Sequence, residues 1–288
     1  MKNPVLVTGA TSAVGKELVK FLVDRGARVR AMVFDLRKVD DMSTPGVDYM
    51  VGDLRKEEDV RLGLTGADKV YLITPLVKDM VEITKTVVSV AQDEGVRKIV
   101  RQTVLDCGVD RRYEFWMKHR VCDELVKRSM MDHTFIRSNQ LMQNFIRYNG
   151  RTIKTEGVIR KPCGDGHTSF VDAYDVAAAA AVALDGNWHD GRTYSLTGPE
   201  PLSNAEVAAE LSKAAGKEVR YEDVTPEKAR AELIDEGYGT WLADGLMEMY
   251  KVEASGKAAF VSGDVEKLTG RKPRRFEQFA QENASAFR

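Results

Sequence analysis

Residues 5–15 have the sequence VLVTGATSAVG, a short apolar run that breaks into a turn of small residues before an amphipathic helix ending near Gly26. A strand that leads through such a turn into a helix leaves backbone N–H groups without partners at the helix start. Those groups and the positive end of the helix dipole favour an anionic pyrophosphate. Gly9 allows the tight turn, and Gly15 allows the helix and strand to approach closely. The start of the chain therefore has the strand–turn–helix pattern of a dinucleotide-binding domain.

The glycine pattern is incomplete, because Ser12 replaces the middle glycine of the usual spacing. The alternative is an ordinary strand–helix turn that binds no ligand. Asp35 ends a second predicted strand over residues 28–34, where such domains place an acidic residue that accepts from ribose hydroxyls. Arg37 and Lys38 follow and can instead hold a 2′-phosphate, which Asp35 alone would repel. The residues leave both NAD and NADP open.

Composition excludes several classes of protein. The 288 residues are 43% hydrophobic and 30% charged with a net charge of −1, which gives no electrostatic argument for nucleic acid or acidic lipid. The basic run at residues 271–275 fits a solvated turn better than a nucleic-acid arm. No apolar run reaches about 18 residues, so no membrane span is expected. No signal peptide is expected, because residues 1–4 lead directly into the first predicted strand, and Cys107, Cys122 and Cys163 are expected to be free thiols in a reducing cytoplasm.

Strands and helices alternate up to about residue 150. After the second strand, strands are predicted near residues 47–51, 69–74, 98–103 and 133–137, and helices near residues 56–64, 80–94 and 113–128. This alternation predicts an α/β fold, a doubly wound parallel sheet of the Rossmann type, with residues 1–150 as the NAD(P)-binding domain. The carboxyl ends of the strands, with Gly9, Asp35, Asp53, Thr74 and Thr103, are expected to form one rim.

The second half loses the regular alternation. A strand near residues 168–171, a helix over 176–184 and a strand over 192–197 are predicted, and the last is expected to extend the main sheet. Helices are predicted near residues 204–214, 226–236, 239–252 and 275–286. Residues 151–288 are therefore expected to supply strand additions and a smaller, mostly helical substrate lobe within a single compact unit.

Short motifs along almost the whole chain carry a family resemblance. They are VTGAT at 7–11, GDL at 52–54, GVRKIV at 95–100, FIR at 135–137, MQN at 142–144, GDG at 164–166, FVD at 170–172, GRTY at 191–194, LTGP at 196–199 and DVEKLTGR at 264–271. With these motifs the sequence resembles the NmrA-like branch of the atypical short-chain dehydrogenases/reductases. The resemblance is to the quinone, azo-dye and triphenylmethane reductases in particular.

The resemblance implies a set of cofactor-binding residues. Those along the pyrophosphate would be Gly9, Thr11, Ser12, Ala13 and Val14. Asp53 and Leu54 would flank the adenine, Thr74 and Pro75 would pass under the nicotinamide ribose, and Thr103 would lie near the ring. Thr74, Pro75 and Thr103 are also compatible with ordinary turn and helix-entry roles.

The resemblance also bears on the choice of nucleotide. Lys38 matches a family lysine that helps to hold the NADP phosphate. Phe34 replaces the arginine that many relatives place there, which weakens the case for NADP without removing it, because Arg37 and Lys38 remain. NADP(H) is slightly favoured over NAD(H).

The catalytic pair Tyr-x-x-x-Lys of many short-chain dehydrogenases is absent, and Tyr113 has Met117 in the lysine position. His119 and Asp123, at i and i+4, are the candidates instead, because the carboxylate can orient the imidazole on one helix face. Lys118 adds a cation next to them, and resembling reductases carry His-x-x-x-Glu here. The alternative is an ion pair on the helix surface. No metal is expected at His119, for lack of further ligands at useful spacing.

Hydride reduction of a quinone or a conjugated dye needs little acid–base catalysis, so holding the acceptor against the nicotinamide is the main task. The candidate pocket residues are Trp116, Asn139, Gln143, Phe145 and Trp241, although each aromatic among them can equally be core. The expected function is an NAD(P)H-dependent reductase, a monomer or homodimer, acting on a small conjugated or carbonyl electrophile, with His119 or water as the proton source. The alternatives are an NAD(P)-sensing regulatory protein without turnover and a nucleotide-independent isomerase or lyase, which Ser12 and Phe34 encourage.

Overall fold

The computed structural model describes residues 3–39, 44–105 and 113–288, so that Cys107 lies outside the described residues. The first half contains β1 (Val5–Val7), α1 (Ala13–Asp24), β2 (Val29–Val33), β3 (Asp48–Val51), α2 (Glu57–Leu64), β4 (Lys69–Leu72), α3 (Met80–Asp93), β5 (Lys98–Val104), α4 (Glu114–Arg128) and β6 (Asp132–Ser138). The second half contains α5 (Asn144–Glu156), β7 (Val158–Lys161), β8 (His167–Thr168), α6 (Ala173–Leu184), β9 (Thr193–Leu196), β10 (Leu202–Ser203), α7 (Asn204–Ala215), β11 (Arg220–Asp223), α8 (Pro226–Asp235), α9 (Thr240–Ala254), α10 (Asp264–Thr269) and α11 (Phe276–Glu282).

A seven-stranded sheet with the order β3-β2-β1-β4-β5-β6-β9 organises the fold. The β1 strand pairs in parallel with both β2 and β4, and β2–β3 and β4–β5 are parallel pairs as well. Parallel strands need crossover connections, which α1, α2 and α3 provide. The order reverses beside β1, and ligands of such sheets bind outside the carboxyl ends at this point. The predicted doubly wound α/β fold is confirmed, and β9 extends the sheet as expected.

Burial explains why the strand sequences are so apolar. All three residues of β1 are buried, because helices cover both faces of a parallel sheet. A core cluster joins the strands to α2 and α3 through residues such as Leu6, Val70, Val87 and Ile99. The positions of α2 and α3 relative to the sheet are thereby fixed by packing rather than by helix propensity.

The described chain divides into two compact units that alternate along the sequence. The first unit contains residues 1–104, 116–137 and 176–194, and the second contains residues 105–115, 138–175 and 195–288. The sequence pattern predicts instead one boundary near residue 150. The segment 176–194, which carries most of α6, belongs with the sheet because its alanine-rich helix is almost wholly buried.

The second unit is rich in helices and also contains two small sheets, β10–β8 and β11–β7. Its core includes four phenylalanine rings in edge-on contact, Phe145, Phe170, Phe276 and Phe279. The strand expected over residues 168–171 is reduced to the two-residue β8. Helix α7 starts at a capping box formed by Ser203 and Glu206, which is a sequence signal for a helix start.

None of the helices in residues 3–39, 44–105 and 113–288 is long and apolar enough to cross a lipid bilayer.

Candidate active site

The turn between β1 and α1 is held to the neighbouring strand by Thr8. Its hydroxyl accepts from the backbone N–H of Ile73 at 2.8 Å and lies 3.1 Å from the Ile73 carbonyl oxygen. Gly9 has a φ of 60°, in the left-handed region that favours glycine. A Cβ atom at Gly15 would lie 2.3 Å from the Gly9 carbonyl oxygen. Glycine is therefore required at position 15 for the turn to pass so close to the helix.

Ser12 is the N-cap of α1. Its hydroxyl accepts from the Gly15 N–H at 3.0 Å, so the serine that replaces a glycine closes the first helical turn. Within the described part of the chain no hydrogen bond reaches the amides of Ala13 and Val14. Two N–H groups at the positive end of the helix are thus available to an anion, as the sequence pattern requires.

Asp35 and Arg37 form a bidentate ion pair just after β2. The Arg37 Nη2 lies 2.7 Å from one carboxylate oxygen of Asp35, and Nε lies 3.0 Å from the other. Asp35 also accepts from the Arg37 backbone N–H and thereby caps a short 3₁₀ helix, Leu36–Lys38. The Arg37 side chain is 90% exposed. The negative charge expected to repel a 2′-phosphate is therefore already compensated. The side chain of Lys38 lies outside what the structure describes.

Asp53 and Leu54 follow β3. The Asp53 carboxylate accepts from the Arg55 backbone N–H at 3.0 Å, while the Arg55 guanidinium lies 2.7 Å from Asp79. Leu54 packs into the core beneath the sheet edge. Phe34, at the end of β2, is 72% exposed, which is unusual for a phenyl ring in a region of buried strands.

Thr74 and Pro75 follow β4. Thr74 is buried with its hydroxyl 3.3 Å from that of Thr84 on α3, whereas Pro75 is exposed. Thr103, near the end of β5, is buried, and its hydroxyl lies 3.3 Å from Nδ1 of His119. The first unit therefore contains all the predicted cofactor-binding residues, at the carboxyl ends of its strands. Their assignment to the nucleotide stays a prediction.

A buried cluster joins α4 to β5. His119 and Asp123 are 5% and 3% exposed, which excludes the alternative of an ion pair on the helix surface. An arginine contacts both side chains. Arg101, on β5, is fully buried, and its guanidinium contacts the Asp123 carboxylate through Nη1 and lies 3.5 Å from His119 Nδ1 through Nη2. Arg137 on β6 lies 3.4 Å from the second oxygen of Asp123.

Burial and charge set the protonation states of this cluster. Burial, aided by the positive charge of Arg101, lowers the pKa of His119 well below its ordinary value. The imidazole is therefore neutral at physiological pH. Burial raises the pKa of Asp123, while Arg101 and Arg137 oppose the increase by favouring the carboxylate.

Lys118 precedes His119 on α4. Its ammonium group donates to the backbone carbonyl of Lys78 at 2.9 Å, before the start of α3. This contact joins α4 to the segment that follows β4. The catalytic assignment of Lys118 as a neighbouring cation stays a prediction.

Sequence reasoning missed Arg101 and Arg137. The signal was present, because Arg101 follows the apolar pair Ile99 and Val100 in a central strand covered on both faces. A charged side chain in such a strand has to be paired with a buried countercharge. The i, i+4 spacing of His119 and Asp123 drew attention to a contact within the helix, whereas the stronger partner lies on the sheet.

The second unit holds most of the predicted substrate residues. The Asn139 amide donates to the Ala258 carbonyl at 2.8 Å, and that of Gln143 donates to Asp172 at 2.7 Å. Phe145 is part of the phenylalanine core. The Trp241 indole donates to Glu114 at 3.2 Å. Trp116 belongs to the first unit and is buried. These placements agree with structural roles as well as with a substrate pocket.

Among the described residues no group of histidine, cysteine or carboxylate side chains is arranged to hold a metal ion.

Comparison with known proteins assigns the chain to a family. The model of the NmrA-like family matches residues 1–280. An NAD(P)H azoreductase of Xenophilus azovorans is 36% identical over 285 residues, which cover 98% of this chain and 99% of that protein. A (4-alkanoyl-5-oxo-2,5-dihydrofuran-3-yl)methyl phosphate reductase of Streptomyces griseus is 32% identical over 286 residues, covering 98% and 99%.

A solved structure agrees with the fold. The NADPH-dependent quinone oxidoreductase QOR2 of Escherichia coli, in complex with NADPH, superposes with a TM-score of 0.84. The match covers 96% of this chain and 99% of that chain at 23% identity.

Proposed function

The chain belongs to the NmrA-like family, and from this premise we propose that it reduces a small conjugated or carbonyl electrophile, a quinone-type acceptor above others. It is an NAD(P)H-dependent oxidoreductase, as its azoreductase relative is by name. When bound, NAD(P)H supplies the hydride. The substrate class is drawn from the relatives' names and from the lack of a Tyr-x-x-x-Lys pair.

The observation that carries the proposal is the turn between β1 and α1. Among the described residues no partner reaches the amides of Ala13 and Val14, which suits a diphosphate, and Gly9 and Gly15 allow the close backbone packing that presents these amides. A sheet whose strand order reverses beside β1 places this turn where nucleotides bind in open α/β folds. The residues present therefore fit a dinucleotide.

The proposed chemistry asks little of the side chains. A quinone is electrophile enough to accept hydride once it is held in place, so the barrier falls mainly through positioning. His119 or water supplies the proton, Asp123 helps to orient the His119 imidazole, and Lys118 adds a positive charge beside them. The proposed substrate residues are Asn139, Gln143 and Trp241, together with Trp116 and the core residue Phe145.

The direct test is oxidation of NADPH and NADH by the purified chain with a naphthoquinone, a benzoquinone and an azo dye. Binding of each nucleotide is measured in parallel through quenching of tryptophan fluorescence. We expect oxidation that depends on the acceptor and is fastest with a quinone.

Two outcomes would overturn the proposal. Nucleotide binding without oxidation of any acceptor would indicate the NAD(P)-sensing alternative. A chain that binds neither nucleotide would indicate an isomerase or lyase that uses the fold without the cofactor.

NADP(H) is the proposed preference over NAD(H), for an electrostatic reason. Arg37 neutralises Asp35 and is almost fully exposed, so its guanidinium can turn to a 2′-phosphate. Binding of NAD(H) through the ribose hydroxyls would instead require the Asp35 carboxylate, which Arg37 occupies.

Replacing Arg37 by glutamine is expected to raise the KM for NADPH roughly tenfold, the size of one lost charge-assisted hydrogen bond. The KM for NADH should fall rather than rise, because the variant releases the Asp35 carboxylate to accept from the ribose hydroxyls. Steady-state kinetics with both nucleotides at low ionic strength measure the effect, since salt screens exposed charges.

The matched control is Arg25→Gln. Arg25 is also an exposed arginine paired with an aspartate, Asp185, but it follows the carboxyl end of α1, away from the nucleotide turn. It should leave both KM values unchanged. An equal rise for NADPH and NADH in the Arg37 variant would refute the proposed preference.

The proposed setting is the cytoplasm, with the chain as a monomer or homodimer. The free and buried thiols of Cys122 and Cys163 support a reducing compartment.

A further inference from the structure

Arg101 is the most deeply buried charged side chain of the candidate active site. Its side chain is fully buried and contacts Asp123, on the helix that carries His119. The same guanidinium lies 3.5 Å from Nδ1 of His119. No catalytic pattern in the sequence assigns Arg101 a role, yet it contacts both catalytic candidates.

We propose that Arg101 is a positioning residue that fixes the tautomer of His119, so that the ring stays neutral and carries its proton on Nε2. The inference rests on the proposed reductase function only for the catalytic use of that proton. The placement of the proton itself is a property of the chain alone.

The donor inventory of the two side chains carries the argument. A guanidinium has N–H donors and no acceptor, so the nitrogen that faces it has to present a lone pair. Nδ1 is that nitrogen, and a proton there would point at a buried positive charge. The Thr103 hydroxyl, 3.3 Å from Nδ1, can donate to the same nitrogen. A neutral imidazole has one proton, which is then on Nε2.

The surrounding charges maintain this state. Among the described residues, Arg101 on β5 acts on His119 directly, and Asp123 and Cys122 on α4 and Arg137 on β6 are the other charged or titratable groups of the same cluster. The two oxygens of the Asp123 carboxylate contact Arg101 and Arg137. The low pKa of the buried His119 agrees with a ring that stays neutral.

The consequence for the reaction is that His119 acts as a hydrogen-bond donor rather than as an imidazolium acid. The acceptor gains a hydride and takes one proton from water, and the imidazole ends the cycle with the proton it began with. Nε2 is buried, so an Nε2–H group donates only to an acceptor that reaches this cluster, and it then stabilises the developing negative charge without changing its own protonation state. The rate should therefore show no acid limb from this histidine.

Nitrogen-15 NMR of the histidine side chains in the full-length chain tests the proposal, with and without NADPH. Comparison with His119→Asn identifies the His119 signals among the four histidines. We expect a neutral Nε2–H pattern that does not titrate between about pH 5.5 and 8. The conservative variant Arg101→Lys should preserve it, because an ammonium also only donates.

Arg101→Gln should change the pattern, because an amide can accept as well as donate and carries no charge. Either the Nδ1–H tautomer becomes populated or His119 titrates in this pH range, and kcat/KM should gain a pH dependence of at least about threefold. The matched control is Arg30→Gln, which removes a partly buried arginine that pairs with Asp48 and the Gly63 carbonyl. It should lower stability and leave the His119 signals unchanged.

An Nδ1–H pattern in the wild-type chain, or a His119 that titrates near its ordinary value, would overturn the proposal even if the Arg101→Gln variant fails to fold. An unaltered spectrum in a folded Arg101→Gln chain would do the same. Because the spectra need no acceptor, they test the role of Arg101 even in a chain that reduces no quinone.

Discussion

Replacing Gly15 by alanine should weaken the binding of NADPH roughly 100-fold. This factor corresponds to about 3 kcal/mol, the upper end of the usual cost of overpacking. The new Cβ atom would lie 2.3 Å from the carbonyl oxygen of Gly9 and 2.8 Å from the Cα atom of Ala10. Both are backbone atoms, so no side chain can move aside and the turn itself has to shift. That shift displaces the amides of Ala13 and Val14, which are the proposed diphosphate donors. Fluorescence titration measures the affinity, and thermal unfolding without nucleotide shows how far the fold is affected.

Gly150→Ala is the matched control. Gly150 lies inside α5, and a Cβ atom there would have its nearest neighbour at the ordinary distance of 3.8 Å. Alanine should stabilise this helix by about 0.5–1 kcal/mol without affecting NADPH. Wild-type affinity in a folded Gly15→Ala chain would show that the turn is not the nucleotide site.

Replacing Asp123 by leucine should lower the free energy of unfolding by about 3–5 kcal/mol, because it leaves the buried guanidinium of Arg101 without its countercharge. Arg101 is fully buried, and Asp123 is 3% exposed, so neither side chain can reach water without movement of α4 or β5. Arg137 would lose the same partner. Urea denaturation followed by circular dichroism and tryptophan fluorescence measures the change and tests whether unfolding is two-state.

The double variant Arg101→Met with Asp123→Leu separates an unpaired charge from lost packing. It should recover most of the stability, to within about 1–2 kcal/mol of wild type, since a buried ion pair contributes little over an apolar pair of similar volume. Asp185→Leu removes one partner of the exposed pair with Arg25 and should cost less than about 1 kcal/mol. If the double variant is no more stable than Asp123→Leu alone, an unpaired charge is not the cause of the loss.

Local patterns were sufficient to predict the sheet, because the spacing of apolar residues within each segment distinguishes its strands from its helices. Residues 5–15 contain the strand, the turn and the helix start, and α1 to α4 fall within a few residues of their expected positions. The turn glycines were predictable for the same reason, since Gly9 and Gly15 serve contacts formed within a few residues or with the adjacent strand.

The rest depends on contacts between residues far apart in sequence. Arg101 meets Asp123 across a strand and a helix, and no periodicity in the sequence records that pairing. The short strands β7 and β11 pair with each other although α6 and α7 lie between them in the sequence. The sequence shows that Ser12 departs from the glycine pattern. Its role as the N-cap of α1 became evident only from the geometry of the turn.

The alternation of the two compact units along the chain bears on how the protein is made. The sheet unit is incomplete until residues 176–194 have been synthesised, because most of α6 and the first residues of β9 belong to it. During synthesis, the edge of β6 that pairs with β9 therefore stays unpaired until β9 has been made. Residues 138–175, which belong to the other unit, are synthesised in between. An exposed strand edge is a template for pairing with other chains. A chaperone would therefore be most useful to nascent chains that end before residue 194.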